Sequence, residues 1–231
     1  MLFARPVLFA AWQFAFGLGY AWRGAPDPWK ASIAWWPWSG ILASLTTLIL
    51  LTWLFRDEGS SLLDLYRFDR QHFKSDLWVV LGFFIVAGPV GFLPNLFFGN
   101  LFFGSAQVAS AMMFLRLPVW AAASALVLFP ITIALTELPT YFGYSMPRIK
   151  VLSGKGLLAV CLPALFLAAQ HMALPLIFDP RFLAWRLLMF LPFALLVGGM
   201  LYWRPRLMPY LIIIHVLIDI PTMWFVLQAA M

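Results

Sequence analysis

Four ionisable side chains, Glu137, His171, His215 and Asp219, interrupt otherwise apolar stretches of the sequence. An ionisable group inside hydrocarbon is costly, so residues of this kind within a membrane span generally mark a functional site. His215 and Asp219 stand four residues apart, which places both side chains on the same face of a helix. A carboxylate beside imidazoles can activate a water molecule by general base catalysis, and the same groups can also form a proton relay.

The composition identifies the environment of these four residues. Hydrophobic residues make up 64% of the 231 residues and charged residues only 10%, and the mean hydropathy is +0.91. Such a chain has too little polar surface to cover a soluble globule. We therefore expect one polytopic domain over residues 1–231, an all-α integral membrane protein. The single cysteine, Cys161, excludes an internal disulfide and a thiolate metal cluster.

Seven apolar stretches approach the length of about 20 residues that a transmembrane helix needs. They predict spans at residues 7–22, 33–55, 77–93, 118–146, 156–178, 182–202 and 207–228. The charged connection at 56–76 is expected to be either a solvated loop or a short amphipathic helix on the membrane surface. The sequence NLFFG occurs twice at 95–104, and the glycines and prolines of this region favour an interfacial loop or a re-entrant turn.

The four ionisable residues are predicted at similar depths in the membrane. At a rise of about 1.5 Å per residue, Glu137 and His215 lie roughly 15 and 13 Å from the cytoplasmic ends of their helices. Asp219 is about one turn deeper, and His171 comes out at roughly 24 Å. Three different helices thus bring polar side chains towards the middle of the bilayer. This coincidence predicts a bundle of about seven transmembrane helices with an intramembrane polar cavity.

Three sequence stretches surround these residues. ELPTYFGYSMPRI spans 137–149, LAAQH spans 167–171, and GGMLYWRPRLMPYLIIIHVLID spans 198–219. In order and spacing they resemble the EExxxRG, FxxxH and HxxxN or HxxxD motifs of the CAAX prenyl protease and bacteriocin-processing family of intramembrane endopeptidases. The resemblance covers about residues 60–225. Where that family has a second glutamate, an arginine and a phenylalanine, this chain has Leu138, Phe142 and Leu167.

The resemblance implies an intramembrane hydrolase that cleaves a peptide bond, with Glu137, His171, His215 and Asp219 as its catalytic residues. Glu137 would be the base that activates water, and His171 would help to hold that water. His215 would face the developing oxyanion. An ionised Asp219 cannot donate a hydrogen bond, so its expected role is to orient His215.

The cofactor and the function class stay open on the sequence. Two histidines with a glutamate and an aspartate would suit Zn²⁺ with an open position, and the family is often described as metalloproteases, but no HExxH pair requires zinc. The alternatives are a proton-coupled transporter and a catalytically silent immunity or scaffold homologue. A transporter often shows internal duplication, which this chain lacks. A silent homologue would be expected to lose the four polar residues.

The expected partners are membrane lipid and a peptide or protein substrate that enters the cavity. Nucleic acid is not expected despite the net charge of +6, because the 15 Lys and Arg are scattered through short loops. The seven-span topology divides these cations unevenly. One side carries ten: Arg5, Arg56, Arg67, Arg70, Lys74, Arg148, Lys150, Lys155, Arg204 and Arg206. The other side carries five: Arg23, Lys30, Arg116, Arg181 and Arg186.

Positive residues are retained in the cytoplasm, so the richer side is predicted to be cytoplasmic. The N-terminus would then lie inside and the C-terminus outside. The compact chain without a soluble domain suggests a bacterial cell membrane.

Cysteine labelling tests this orientation. Single cysteines at Ser61 and Ser153 should react only with reagents that reach the cytoplasm, and a cysteine at Met231 only with reagents applied outside. The opposite pattern would invert the predicted orientation, and labelling of all three positions from one side would require a different number of spans.

Overall fold

The computed structural model describes residues 1–231, and the chain is helical throughout, without a β-strand. A π-helix at Pro139–Ser145 and two 3₁₀-helices, Leu62–Tyr66 and Pro205–Leu207, lie between α-helices. The α-helices are α1 (Ala4–Trp22), α2 (Pro28–Ile33), α3 (Trp36–Asp57), α4 (Phe73–Phe103), α5 (Ala106–Ala111), α6 (Val119–Ala134), α7 (Met146–Ser153), α8 (Gly156–Gln170), α9 (Pro180–Trp203) and α10 (Met208–Ala230).

Five helical segments are long and apolar enough to cross a membrane, which suits the chain to a membrane location. They are Trp36–Asp57, Phe73–Phe103, Val119–Ser153, Pro180–Trp203 and Pro205–Ala230. The segment Val119–Ser153 combines α6, the π-helix and α7. The predicted count of seven spans is not confirmed, because α1 and the 15-residue α8 fall outside this set.

Local sequence signals explain where several helices begin and end. Asp179 caps α9, because its carboxylate accepts hydrogen bonds from the backbone N–H groups of Arg181 and Phe182, and Pro180 occupies the first helical position. Gly104 and Gly154 end α4 and α7 with φ angles of 76° and 66°, a left-handed conformation that favours glycine.

The prediction of a loop or re-entrant turn at 95–104 is wrong, because α4 continues through both NLFFG copies to Phe103. Pro89 and Pro94 lie inside this helix. Prolines are tolerated in transmembrane helices because neighbouring structure can satisfy the freed backbone groups. The chain turns only at Gly104, and Ser105 then caps α5 by accepting a hydrogen bond from Val108 N.

Two other predicted segments differ in detail. Only the first part of the predicted span 156–178 is helical, because α8 ends at Gln170. Residues 171–179 have no regular helix. The connection at 56–76 contains the 3₁₀-helix Leu62–Tyr66, capped by the hydroxyl of Ser61, which accepts from Leu63 N.

The buried apolar side chains form two large clusters. The first includes Phe9, Phe129 and Ile133, together with the second half of α10 around Met223. The second includes Leu138, Leu167 and Leu211, together with buried residues of α4 and α9. The four ionisable residues lie where the chain passes from one cluster to the other. Glu137 lies between Ile133 and Leu138, His171 lies between Ala168 and Ala173, and His215 and Asp219 lie between Ile212 and Met223. The junction of the clusters therefore brings Glu137, His171, His215 and Asp219 to a common level.

The packing of α4 against α5 gives a stability test. A Cβ atom on Gly99 would lie 2.6 Å from the Cα of Ala106, so Gly99→Ala must displace backbone. We expect this variant to lose about 1–3 kcal/mol of stability, measured by thermal unfolding in detergent. A Cβ atom on Gly82 of the same helix would have no neighbouring atom within 4 Å. Gly82→Ala should be neutral or gain about 0.5–1 kcal/mol, and equal losses in both variants would contradict the close approach.

Candidate functional site

Glu137 lies at an irregularity in Val119–Ser153, the third of the five segments that are long and apolar enough to cross a membrane. Helix α6 ends at Ala134, and the π-helix begins two residues after Glu137. Irregular turns of this kind are frequent at functional sites. The carbonyl of Leu135 accepts a hydrogen bond of 2.8 Å from the Tyr66 hydroxyl. Burial raises the pKa of Tyr66 to about 12, so this hydroxyl keeps its proton and remains a donor.

His171 stands directly after the last residue of α8. Its Nδ1 lies 2.8 Å from the carbonyl oxygen of Leu167, which can only accept, so Nδ1 carries the proton. The imidazole stacks on the ring of Phe190 with centroids 3.6 Å apart. This arrangement directs Nε2 towards Glu137, and the distance from Nε2 to Glu137 Oε2 is 3.9 Å.

His215 and Asp219 lie one turn apart on α10, on the same helical face as their spacing predicted. His215 Nε2 lies 3.5 Å from Asp219 Oδ2 and 3.6 Å from Glu137 Oε1. Oδ2 of Asp219 is buried and has no hydrogen-bond partner. A buried oxygen without a partner is costly, so a hydrogen bond from a bound ligand or a water molecule to Oδ2 would be favourable.

The structure thus brings all four side chains together, with the Glu137 carboxylate between the two imidazoles. Its two oxygens face different histidines: Oε2 is nearer to His171 and Oε1 is nearer to His215. The distances of 3.9 and 3.6 Å exceed an ordinary hydrogen bond. Polar groups at such distances are suited to share a water molecule.

The four side chains line a cavity of about 630 Å³. Most of the other lining residues are apolar, so a polar cavity is not confirmed. Phe92 on α4 and Phe225 on α10 both line the cavity and are 58% and 57% exposed. The cavity therefore reaches the molecular surface between α4 and α10, on an apolar face.

Sequence reasoning missed three polar residues of this site. Gln170 precedes His171, is fully buried, and donates a hydrogen bond of 2.5 Å from Nε2 to Glu137 Oε2. Arg5 is also fully buried and donates from Nε to Gln170 Oε1 at 2.8 Å. Arg5 and Arg186 are buried, so neither is a charge in a loop. Each predicted side of the membrane therefore has one loop cation fewer than the sequence suggested. The only sequence signal for these three residues was the position of Gln170 directly before His171 in the stretch LAAQH.

Arg186 on α9 stabilises the irregular segment that follows α8. Its guanidinium donates to the carbonyl of His171 at 3.1 Å and to the carbonyl of Leu174 at 2.9 Å. The Leu174 carbonyl has no other donor, whereas the His171 carbonyl also accepts a backbone hydrogen bond of 3.3 Å from Leu174 N. Arg186 also lines the cavity and therefore places a positive charge beside the four ionisable side chains.

Leu138, Phe142 and Leu167, which differ from the motifs of the CAAX prenyl protease and bacteriocin-processing family, are buried and apolar. Leu138 lines the cavity, and Phe142 packs where Gly198 leaves space for its ring, since a Cβ on Gly198 would lie 2.8 Å from that ring. No group of three or more His, Cys, Asp and Glu side chains is arranged to hold a metal ion. One oxygen of Glu137 already accepts a hydrogen bond from Gln170.

No protein-family model matches the chain, and no curated protein and no solved structure matches it either.

The contacts of Arg186 give a prediction about the support of the site. Arg186→Met should destabilise the protein by about 1–3 kcal/mol, because it leaves the buried carbonyl of Leu174 without a donor and takes one of two donors from the carbonyl of His171. Thermal unfolding in detergent measures the loss. Arg181→Met on the same helix is the matched control, since Arg181 is exposed and pairs with Asp179 at 3.4 Å. Exposed pairs contribute about 0–1 kcal/mol, so losses of equal size would contradict the assigned role.

Proposed function

We propose that the chain is an intramembrane endopeptidase, similar in its site to the CAAX prenyl protease and bacteriocin-processing family. One observation carries the proposal: the Glu137 carboxylate lies between His171 and His215, and His215 also faces Asp219. A base, a second acceptor for water and a donor for an oxyanion are the groups that water-mediated peptide hydrolysis requires. The spacing of the motifs supports the same assignment.

The first step is the activation of water. Glu137 takes a proton from a water molecule, and Nε2 of His171 accepts the hydrogen bond of the other hydrogen, because its Nδ1 already carries the imidazole proton. The resulting hydroxide attacks the carbonyl carbon of the scissile peptide bond. A tetrahedral intermediate forms, in which the former carbonyl oxygen carries the negative charge.

The second step is the collapse of this intermediate. His215 donates from Nε2 to the oxyanion. The carboxyl groups of Glu137 and Asp219 both face this nitrogen, which favours the tautomer that carries its proton there. The C–N bond then breaks, and the proton held by Glu137 passes to the leaving amine. The products are a carboxylic acid and an amine, and Glu137 returns to its ionised form.

The substrate class follows from the surroundings of the site. The cavity is largely apolar and reaches an apolar surface between α4 and α10. A peptide attached to or crossing the membrane could enter there without leaving the bilayer. We therefore propose a membrane-associated peptide or protein as the substrate, with lipid as the surrounding partner.

The proposed topology has seven spans in a bacterial cell membrane, with the N-terminus cytoplasmic. Helix α1 has 19 residues, a length of about 28 Å, close to the apolar thickness of a bilayer. Helix α8 is shorter, and residues 171–179 would complete its crossing. This would place the four polar side chains inside the apolar layer.

Replacement of Glu137 tests the proposal. Glu137→Gln keeps nearly the same volume but removes the basic carboxylate, so hydrolysis should fall by about 10²- to 10⁴-fold. The assay uses purified protein in detergent with quenched peptides or proteome-derived substrates. Glu58→Gln changes the chain's other glutamate, which pairs with Arg148 away from the cavity, and it should retain activity.

Unchanged hydrolysis by Glu137→Gln would remove Glu137 as the base. Each assay is repeated with a chelator and with added Zn²⁺. Loss of activity with the chelator and recovery with Zn²⁺ would replace the proposed water activation by a metal-dependent one.

A further inference from the structure

Arg5 lies in an unusual environment for a cation. It is fully buried, and its direct partners are neutral oxygen atoms. Nη1 donates to Thr136 Oγ1 at 2.6 Å and to Ser44 Oγ at 3.4 Å, and Nε donates to Gln170 Oε1 at 2.8 Å. A buried charge is costly unless an opposite charge lies nearby. Gln170, which accepts from Arg5, in turn donates a hydrogen bond to the Glu137 carboxylate. Glu137 therefore supplies the opposite charge.

The chemistry of the donors fixes the orientation of the Gln170 amide. A guanidinium can only donate, so the amide oxygen must face Arg5 and the NH₂ group must face Glu137. The Tyr141 hydroxyl, 3.2 Å away, also donates to the same amide oxygen. A flipped amide would set its oxygen against the carboxylate and its NH₂ group against the guanidinium, and both contacts are unfavourable. Arg5 therefore determines which end of Gln170 meets the carboxylate.

This contact also distinguishes the two oxygens of Glu137. Oε2 accepts the short hydrogen bond from Gln170, whereas Oε1 is the oxygen nearer to His215. An oxygen already engaged by a donor is the weaker base. The hydrogen bond thus leaves Oε1 as the free oxygen and limits rotation of the carboxylate group.

We propose that Arg5 and Gln170 are positioning residues for Glu137: the buried guanidinium orients the amide, and the amide holds one carboxylate oxygen so that the other faces the reacting water. Helix α1 is thereby part of the active site although it contributes no residue to the cavity wall. This inference rests on the proposed function for its kinetic consequence. The coupling between Arg5 and Glu137 is independent of any activity.

The kinetic test compares Arg5→Met and Gln170→Leu with Gln13→Leu. Gln13 is equally buried and also ties α1 to the rest of the protein, through hydrogen bonds of 2.9 and 2.8 Å with the backbone of Leu176. It does not touch Glu137. We expect kcat to fall about tenfold or more in Arg5→Met and Gln170→Leu with KM little changed, and to stay within about twofold in Gln13→Leu.

Two further variants show whether Arg5 and Gln170 act as a unit. The double variant Arg5→Met with Gln170→Leu should lose no more kcat than Gln170→Leu alone, because the proposed positioning of Glu137 by Arg5 acts through the Gln170 amide. Arg5→Lys keeps the charge and should retain more activity than Arg5→Met. Equal kcat values in Gln170→Leu and Gln13→Leu would overturn the proposal, and this comparison decides it even if Arg5→Met does not fold.

A stability cycle tests the coupling without an activity assay. If the Arg5 charge is balanced by Glu137, the loss of melting temperature caused by Arg5→Met should be clearly smaller in a Glu137→Gln background than in the native background. The loss caused by Gln13→Leu should be the same in both backgrounds. Additive losses for Arg5→Met would overturn the coupling. A coupled pair in a protein that hydrolyses no peptide would refute the proposed function and leave the coupling of the two charges standing.

Discussion

A carboxylate within an apolar bundle is stable only where protein groups replace the hydrogen bonds and the opposite charge that water would supply. Glu137 is 6% exposed and meets this constraint through Gln170, which in turn is oriented by Arg5. The three side chains come from three separate parts of the chain. The hydrogen bonds that satisfy this one carboxylate therefore link α1, α8 and the segment around Glu137.

The same constraint governs the backbone at the site. Helices α6 and α8 both stop close to the ionisable residues, and their ends leave carbonyl groups without helical partners. Side chains from other elements provide the donors: Tyr66 bonds the carbonyl of Leu135, and Arg186 bonds those of His171 and Leu174. Irregular backbone inside a membrane is tolerated only where protein groups satisfy it in this way. The breaks in turn allow the side chains to point into the cavity.

The site lies between two apolar clusters, so its surroundings have low polarity. On one side lie buried residues such as Phe129, and on the other side lie residues such as Leu167. Low polarity around the carboxylate and the imidazoles strengthens their mutual interactions, because little solvent screens them. The apolar wall of the cavity also favours an apolar substrate and limits the access of bulk water. These properties agree with the proposed hydrolysis inside a membrane.

The sequence by itself determined the features that depend on local spacing. The apolar composition predicted an all-helical chain suited to a membrane, and the helix rise predicted that His215 and Asp219 share one face. The sequence also singled out Glu137 and His171, because ionisable residues are conspicuous in apolar stretches.

Only the tertiary structure decided which distant groups meet. Arg5 was assigned to topology, yet it lies beside Gln170, 165 residues away in sequence. Arg186 was likewise counted as a loop charge, and the NLFFG copies were assigned to a loop although they are helical. Membrane helices present apolar residues on nearly all faces, so periodicity does not reveal which face packs against which neighbour. The partners of a buried charge are set by that packing, and therefore appear only once the helices are assembled.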